Sequence, residues 1–319
     1  MDGHFLYAAQ SSPHPASGGT VAAYAIEDGV PRKISEHPCA SAEHPRVSTP
    51  CHISISTAPA GKFLFFADYS NGLIGVFRIC ENGALEGPLQ TLKHAGALGP
   101  RKDRQDAPHC HCIVQSHDGW VFVCDLGLDK VAAYSFDPQS GRLIPSSGAE
   151  GFTAVAGSGP RHIIFDPECE HRAYLINELD STLVSLNYCG DGILKARQTL
   201  STLPVDFTGE TKAAAVKISP CGEWALASNR GYDSIAAFRI GADGTLAPPV
   251  ISKLGGRFPR DFEFSPDGRH IIVGHKLSNE MAAYAFDPAT GALAQTTAGI
   301  ATMTRPLCFI FETESAANA

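Results

Sequence analysis

The sequence predicts an all-β fold, a β-propeller of four-stranded blades in a single domain over residues 1–319. Three observations point there: a hairpin signal that recurs six times, strand-like runs at fixed places before each recurrence, and little helical periodicity anywhere.

The hairpin signal is an acidic or polar residue, then Gly, then usually a small residue and Leu. It reads EDGV (27–30), ENGAL (81–85), DPQSGRL (137–143), GDGIL (190–194), ADGTL (242–246) and DPATGAL (287–293). Each Gly can supply the positive φ of a tight hairpin turn, and the acidic residues suit such turns. The glycines lie 47 to 58 residues apart, the length of a four-stranded blade.

Strands fill the space between these turns. Just before each turn comes an alternating β-rich run: TVAAYAI, LIGVFRI, KVAAYSF, TLVSLNY, SIAAFRI and EMAAYAF. Upstream of those stand HFLYAA, KFLFFAD, WVFVCD, AYLINE, WALASN and HIIVGH. Earlier still, a short strand often opens with Pro, as in PCHISIS, PHCHCIV, PRHIIF, AAAVKIS, PRDFEF and PLCFIF. A homogeneous repeat of this length disfavours a sandwich. The chain starts in mid-blade, MDGHFLY standing where other blades have PDGRHII or CGEWALA, and stops after the orphan strand RPLCFIFE. Six blades can be counted, with the ring expected to close when the C-terminal strand joins the N-terminal blade and removes the open edge.

Composition fits this reading. Hydrophobic residues are 44% and charged residues 18%, with 31 Gly and 22 Pro, which allows a large core and many turns. The net charge of −8, without a long basic run, argues against nucleic acid as a partner. MDGHFLYAAQSS has neither the charged nor the apolar region of a signal peptide. No apolar run approaches the roughly 20 residues that span a bilayer, so no membrane association is expected. Ten scattered cysteines without a CxxC then read as reduced thiols in a cytoplasmic protein.

Reading equivalent positions around the repeat locates a candidate site. At the start of the first strand of each blade the series is His52, His111, Arg161, Ala214, Arg260 and Leu307. After the second strand it is Asp68, Asp125, Asn177, Asn229 and His275, followed by Tyr69, Leu126, Glu178, Arg230 and Lys276. Polar residues at repeated positions in otherwise apolar strands suggest a wet, functional mouth of the channel. The densest group is His111, Arg161, Glu178 and Arg230. Two guanidiniums can clamp a carboxylate or phosphate and stabilise an oxyanion, while Glu178 or His111 can move a proton. The bland alternative is a salt-bridged network that locks blades together. His52 and Arg260 are candidates for the far end of a substrate, or for hydrogen bonds between blades. Asp206 and Glu210, in the loop DFTGE (206–210), are candidates for substrate contact from the rim. Asp68, Asp125, Asn177 and Asn229 are expected to hold turns and neighbouring backbone.

Other chemistries find little support. In His109-Cys110-His111-Cys112, alternate side chains of a strand face opposite ways, so these four cannot enclose one tetrahedral metal. GSGPR (157–161) lacks the lysine and helix of a phosphate loop and reads as a turn. There is no GxSxG nucleophile elbow. No metal and no cofactor are expected.

Several ordered stretches resemble the lactonase seven-bladed propellers, which include bacterial 6-phosphogluconolactonases and fungal carboxymuconate lactonising enzymes. They are RQDAPHCHCIV (104–114), DLGLDKVAAYSF (125–136), GPRHIIFDP (159–167), YLINELDSTL (174–183), LPVDFTGETKAAAVKISP (203–220), SNRGYDSIAAFRI (228–240) and FPRDFEFSPDG (258–268). His111, Arg161, Glu178 and Arg230 match positions implicated in the family's active site. The resemblance implies a lactonase acting on a small anionic sugar-acid lactone such as 6-phosphogluconolactone, by metal-independent acid/base catalysis. A cycloisomerase acting on a carboxylated muconate and a non-catalytic binding propeller are the alternatives. One departure stands out. The family has seven blades, and its first lies upstream of the region matching Met1, so either six blades close the ring or the start was assigned late.

Overall fold

Turn geometry sets the frame. The six anticipated hairpin glycines, Gly29, Gly83, Gly141, Gly192, Gly244 and Gly291, all have positive φ, between 67° and 83°. Side chains rarely adopt that region, so Gly recurs wherever the third strand of a blade turns back into the fourth. The computed structural model describes residues 4–11, 18–40, 47–146 and 151–311.

Six antiparallel sheets follow in chain order, and in each the strands pair in sequence as a meander. The first has three strands, Phe5–Gln10, Thr20–Glu27 and Val30–Pro38. The second holds Pro50–Ala58, Gly61–Asp68, Leu73–Ile79 and Leu85–Lys93. The third holds Cys110–Gln115, Val121–Asp125, Lys130–Asp137 and a fourth strand in two pieces, Arg142–Pro145 and Phe152–Thr153, both paired with Lys130–Asp137. The fourth holds Pro160–Phe165, Arg172–Asn177, Thr182–Tyr188 and Leu194–Ser201. The fifth holds Lys212–Ile218, Trp224–Arg230, Ser234–Arg239 and Val250–Lys253, and the sixth Pro259–Phe264, His270–His275, Glu280–Phe286 and Leu293–Thr302. The described residues are all-β and form six propeller blades. Among the described residues there is no helix long and apolar enough to cross a membrane.

The blades fall into two compact units, blades one to three in the first and blades four to six in the second. The second strands of blades two and five are covered on both faces, polar ends included. Trp224–Arg230 is buried at every position and Gly61–Asp68 at all but its first two. Fourth strands are largely exposed or half-buried, Leu85–Lys93 being buried only at Leu85, because they lie at the outer edge of each sheet. Phe63, Phe65, Ile74, Val76, Ile113 and Val123 fill the space between blades two and three. Leu226, Ile235, Phe262, Val273 and Tyr284 do so between blades five and six.

A β-bulge opens the first strand of five blades. Ladder partners shift between Pro50 and His52, Cys110 and Cys112, Pro160 and His162, Ala213 and Val216, and Pro259 and Asp261. The extra residues are Cys51, His111, Arg161 and Arg260, and in blade five Ala214 and Ala215 together oppose Ser228. Such a bulge re-aims a side chain without ending the strand. It also corrects the sequence-derived series. In blade two Cys51, not His52, occupies the position of His111, Arg161 and Arg260.

At the C-terminus, residues 303–311 form no ladder. Instead the amide of Phe309 donates to Asp261 Oδ2 at 3.0 Å, within the second unit. The expected pairing of this segment with the first blade is therefore not among the ladders of the described residues. Met1–Gly3 and Glu312, at the two ends of that expectation, lie outside them.

Candidate active site

Two of the repeated positions bring charge together in the second unit. Arg161 is the bulge residue of blade four, and Glu178 follows that blade's second strand. Arg161 Nε donates to Glu178 Oε2 at 3.0 Å. Arg230, at the end of the second strand of blade five, reaches the same Oε2 from Nη2 at 2.7 Å. All three are buried, at 1%, 3% and 5% exposure. The guanidiniums are held from behind by carbonyls: Arg161 Nη1 donates to Ala214 O, Arg230 Nε to Lys212 O at 3.1 Å and Arg230 Nη2 to Ala213 O at 2.8 Å. The Ala214 carbonyl belongs to the bulge of blade five, so that bulge, though it carries no charged side chain, orients one.

The network links blade four to blade five, as the bland reading expected. It also carries one more positive than negative charge in a buried setting, where such charge is felt strongly by an incoming anion. Both properties belong to the same atoms.

His111 lies in the first unit and is buried. Tyr69 meets its ring edge-on, with centroids 5.6 Å apart, and stacks on His109 at 4.3 Å. His109 is tied to Tyr69 O and to Asp106 Oδ1 at 2.9 and 3.0 Å, which accounts for it structurally. His52 accepts a hydrogen bond on Nδ1 from the amide of Ile113 at 3.3 Å and faces Cys112 Sγ with Nε2 at 3.6 Å. It thus bridges blades two and three. Arg260 is half-buried on the bulge of blade six, and Asp206 is exposed on the loop between blades four and five.

The carboxylates and amides at the ends of the second strands behave as structural groups. Asp68 Oδ1 accepts from the amides of Thr49 and Ser70. Asp125 Oδ1 accepts from those of His109, Gly127 and Leu128. Asn229 ties to Thr202 and Ser234. GSGPR is a turn, its Gly157 and Gly159 amides clamped by the carboxylate of Asp129 at 2.7 and 2.8 Å.

Sequence reasoning passed over one buried cluster. His94, Cys110 and Asp125 place ligand-type atoms within 4.8 Å of one another. The His94 ring meets Asp125 Oδ2 through Nδ1 and the Tyr134 hydroxyl through Nε2, each at 2.8 Å. It is a polar strut in the place where Thr202 and Asn229 meet in the second unit. The parallel between the end of one blade's fourth strand and the next blade's second strand is the signal that would have found it.

Fold and site together define a propeller whose blades four and five enclose a net-positive polar centre. Residues 1–311 match the family described as "Lactonase, 7-bladed beta-propeller", and the chain belongs to that family. It is 32% identical over 249 residues to the 6-phosphogluconolactonase of Bacillus subtilis, covering 77% of this chain and 68% of that protein. Among solved structures it resembles the periplasmic gluconolactonase PpgL of Pseudomonas aeruginosa, with TM-score 0.85 and 28% identity over 96% of this chain and 84% of that one. A protein from Lactobacillus plantarum gives TM-score 0.84 and 29% identity over 97% and 85%. The family's description names seven blades, and the described residues form six.

Proposed function

We propose that the chain is a lactone hydrolase that opens a sugar-acid lactone of the 6-phosphogluconolactone kind. The observation that carries this reading is the convergence of Arg161 and Arg230 on one oxygen of Glu178 in a lactonase-family propeller. In the proposed reaction water attacks the lactone carbonyl carbon while the Glu178 carboxylate takes its proton. The guanidiniums stabilise the oxyanion of the tetrahedral intermediate. The ring C–O bond then breaks, and the leaving alkoxide takes back a proton. Neither a metal nor a covalent enzyme intermediate is needed. His111 is the second acid/base candidate.

A pH-stat assay on gluconolactone, its 6-phosphate and galactonolactone tests the reading. Wild type is expected to accelerate at least one. Glu178→Gln and Arg161→Ala are expected to lose on the order of 10²–10⁴-fold in kcat, and His111→Asn is compared in the same assay. Full rates in the Glu178 and Arg161 variants would remove the residue roles and leave the network as a strut. We also place the protein in a reducing compartment such as the cytoplasm, a reading that rests on ten scattered cysteines without a CxxC in the sequence.

A further inference from the structure

Blade six repeats the geometry of blade four with one charge reversed. In blade four the bulge residue Arg161 faces Glu178, the residue after Asn177, and Asn177 is the ladder partner of Pro160. In blade six the bulge residue is Arg260, and the residue after His275, the ladder partner of Pro259, is Lys276. The two positions that hold an ion pair in one blade hold two cations in the other. Like charges at such places repel unless an anion joins them.

The surroundings add positive charge. The ring of Phe258 has Arg230 Cζ at 5.3 Å and Lys276 Nζ at 6.0 Å from its centroid. That ring is fixed by its backbone: the Phe258 amide donates to Asp233 Oδ1 at 2.8 Å, and its carbonyl accepts from the Lys276 amide at 3.0 Å. Arg305 is exposed, with its amide held by Asn279 Oδ1 at 3.0 Å. Burial, followed by Arg260, Arg305 and Arg230, lowers the pKa of Lys276. Among the described residues no carboxylate forms an ion pair with Arg260, Lys276 or Arg305. Lys276 and Arg260 are only half-buried, so a ligand can reach them.

We propose that Lys276 determines specificity, seating with Arg260 and Arg305 an oxyanion group, phosphoryl or carboxylate, carried by the lactone away from its ester. Arg230 joins this seat to Glu178 through one guanidinium. The proposal rests on the lactonase reading for its substrate, but not for the seat itself.

The experiment therefore has two readouts. The first is the ratio of kcat/KM for an oxyanion lactone, 6-phosphogluconolactone or a lactone of glucaric acid, to that for neutral gluconolactone. Lys276→Met is expected to lower this ratio about ten- to a hundredfold, mostly through KM, for whichever oxyanion lactone wild type prefers, and Lys276→Arg to restore most of it. The second is calorimetric titration with inorganic pyrophosphate, with binding expected in wild type and lost in Lys276→Met. If wild type opens no lactone but binds pyrophosphate through Lys276, the hydrolase reading falls and the seat stands. An unchanged ratio together with unchanged pyrophosphate binding overturns the seat.

Discussion

Glu178 Oε2 pairs with two guanidiniums, and its removal takes that counter-charge away from two buried cations. Breaking a buried ion pair from one side typically costs about 3–5 kcal/mol. Glu178→Ala is accordingly expected to lower unfolding stability by that order in urea denaturation, and Glu178→Gln by less because the amide still accepts hydrogen bonds. His275 makes a second residue-scale prediction. Burial lowers its pKa from 6.5, against the opposing pull of Glu280 and Asp233. The unfolded imidazole thus takes up a proton at a pH where the folded one does not. The stability it contributes is full above pH 6.5 and declines as pH falls below that value. Melting temperature in wild type should fall over that range more steeply than in His275→Gln, and equal slopes would refute the assignment. At this scale the sequence was partly readable. Arg161, Glu178 and Arg230 could be placed together because their blades share spacing. The sequence series sets His52 beside His111, yet Pro50-Cys51 is the better match to Pro160-Arg161 and Pro259-Arg260. A bulge adds a residue that no apolar alternation betrays, so only the proline register marks it. Lys276 stands in the same series, and its place opposite the bulge residue Arg260 follows only from the ladder register of blade six.

Hairpins do more than reverse the chain. A β-carbon on Gly83 would stand 2.2 Å from Phe5 Cδ1, one on Gly141 2.5 Å from Leu89 Cδ1 and 3.1 Å from Phe63 Cε1, and one on Gly291 2.4 Å from Trp224 Cζ3. Phe63 and Trp224 sit at or near the start of the second strand of the preceding blade, and Phe5 opens the first strand of the three-stranded first blade. The contact is reinforced by Trp224 Nε1 donating to Pro288 O at 2.8 Å, and Gly244 meets the side chain of Arg172 in the same way. Gly291→Val is expected to cost about 3 kcal/mol, from a left-handed backbone and a collision together. Gly29, with φ 74° and open space at its β-carbon, provides the control. Gly29→Val should cost distinctly less in the same denaturation series, and equal losses would show that backbone strain alone is at work. Strand order and hairpin positions were legible because Gly and alternating apolar residues mark them directly. The split fourth strand of blade three was not, since its two pieces are short and separated by residues with no β pattern of their own.

At the scale of the chain, burial sorts the ten thiols. Cys39, Cys110, Cys112 and Cys124 are buried, while Cys189, Cys221 and Cys308 belong to exposed residues. The Cys308 thiol itself is pushed up to about 11, by burial and then by Asp261. With a disulfide reagent at neutral pH, Cys189 and Cys221 should react first, Cys308 should lag, and all ten should appear on denaturation. Rapid reaction of the four buried thiols would contradict the packing described. Propeller class was readable from the repeat alone, whereas the six sheets do not say which chemistry the protein performs. The proposed chemistry rests on family membership and on the Arg161–Glu178–Arg230 cluster of blades four and five. The repeated docking of a glycine corner on an aromatic ring has a wider consequence. Where neighbouring modules carry both plug and socket, copying or deleting one of them leaves compatible joints on either side. Lineages built this way can change their number of modules by gene duplication or loss, without inventing a new joint each time.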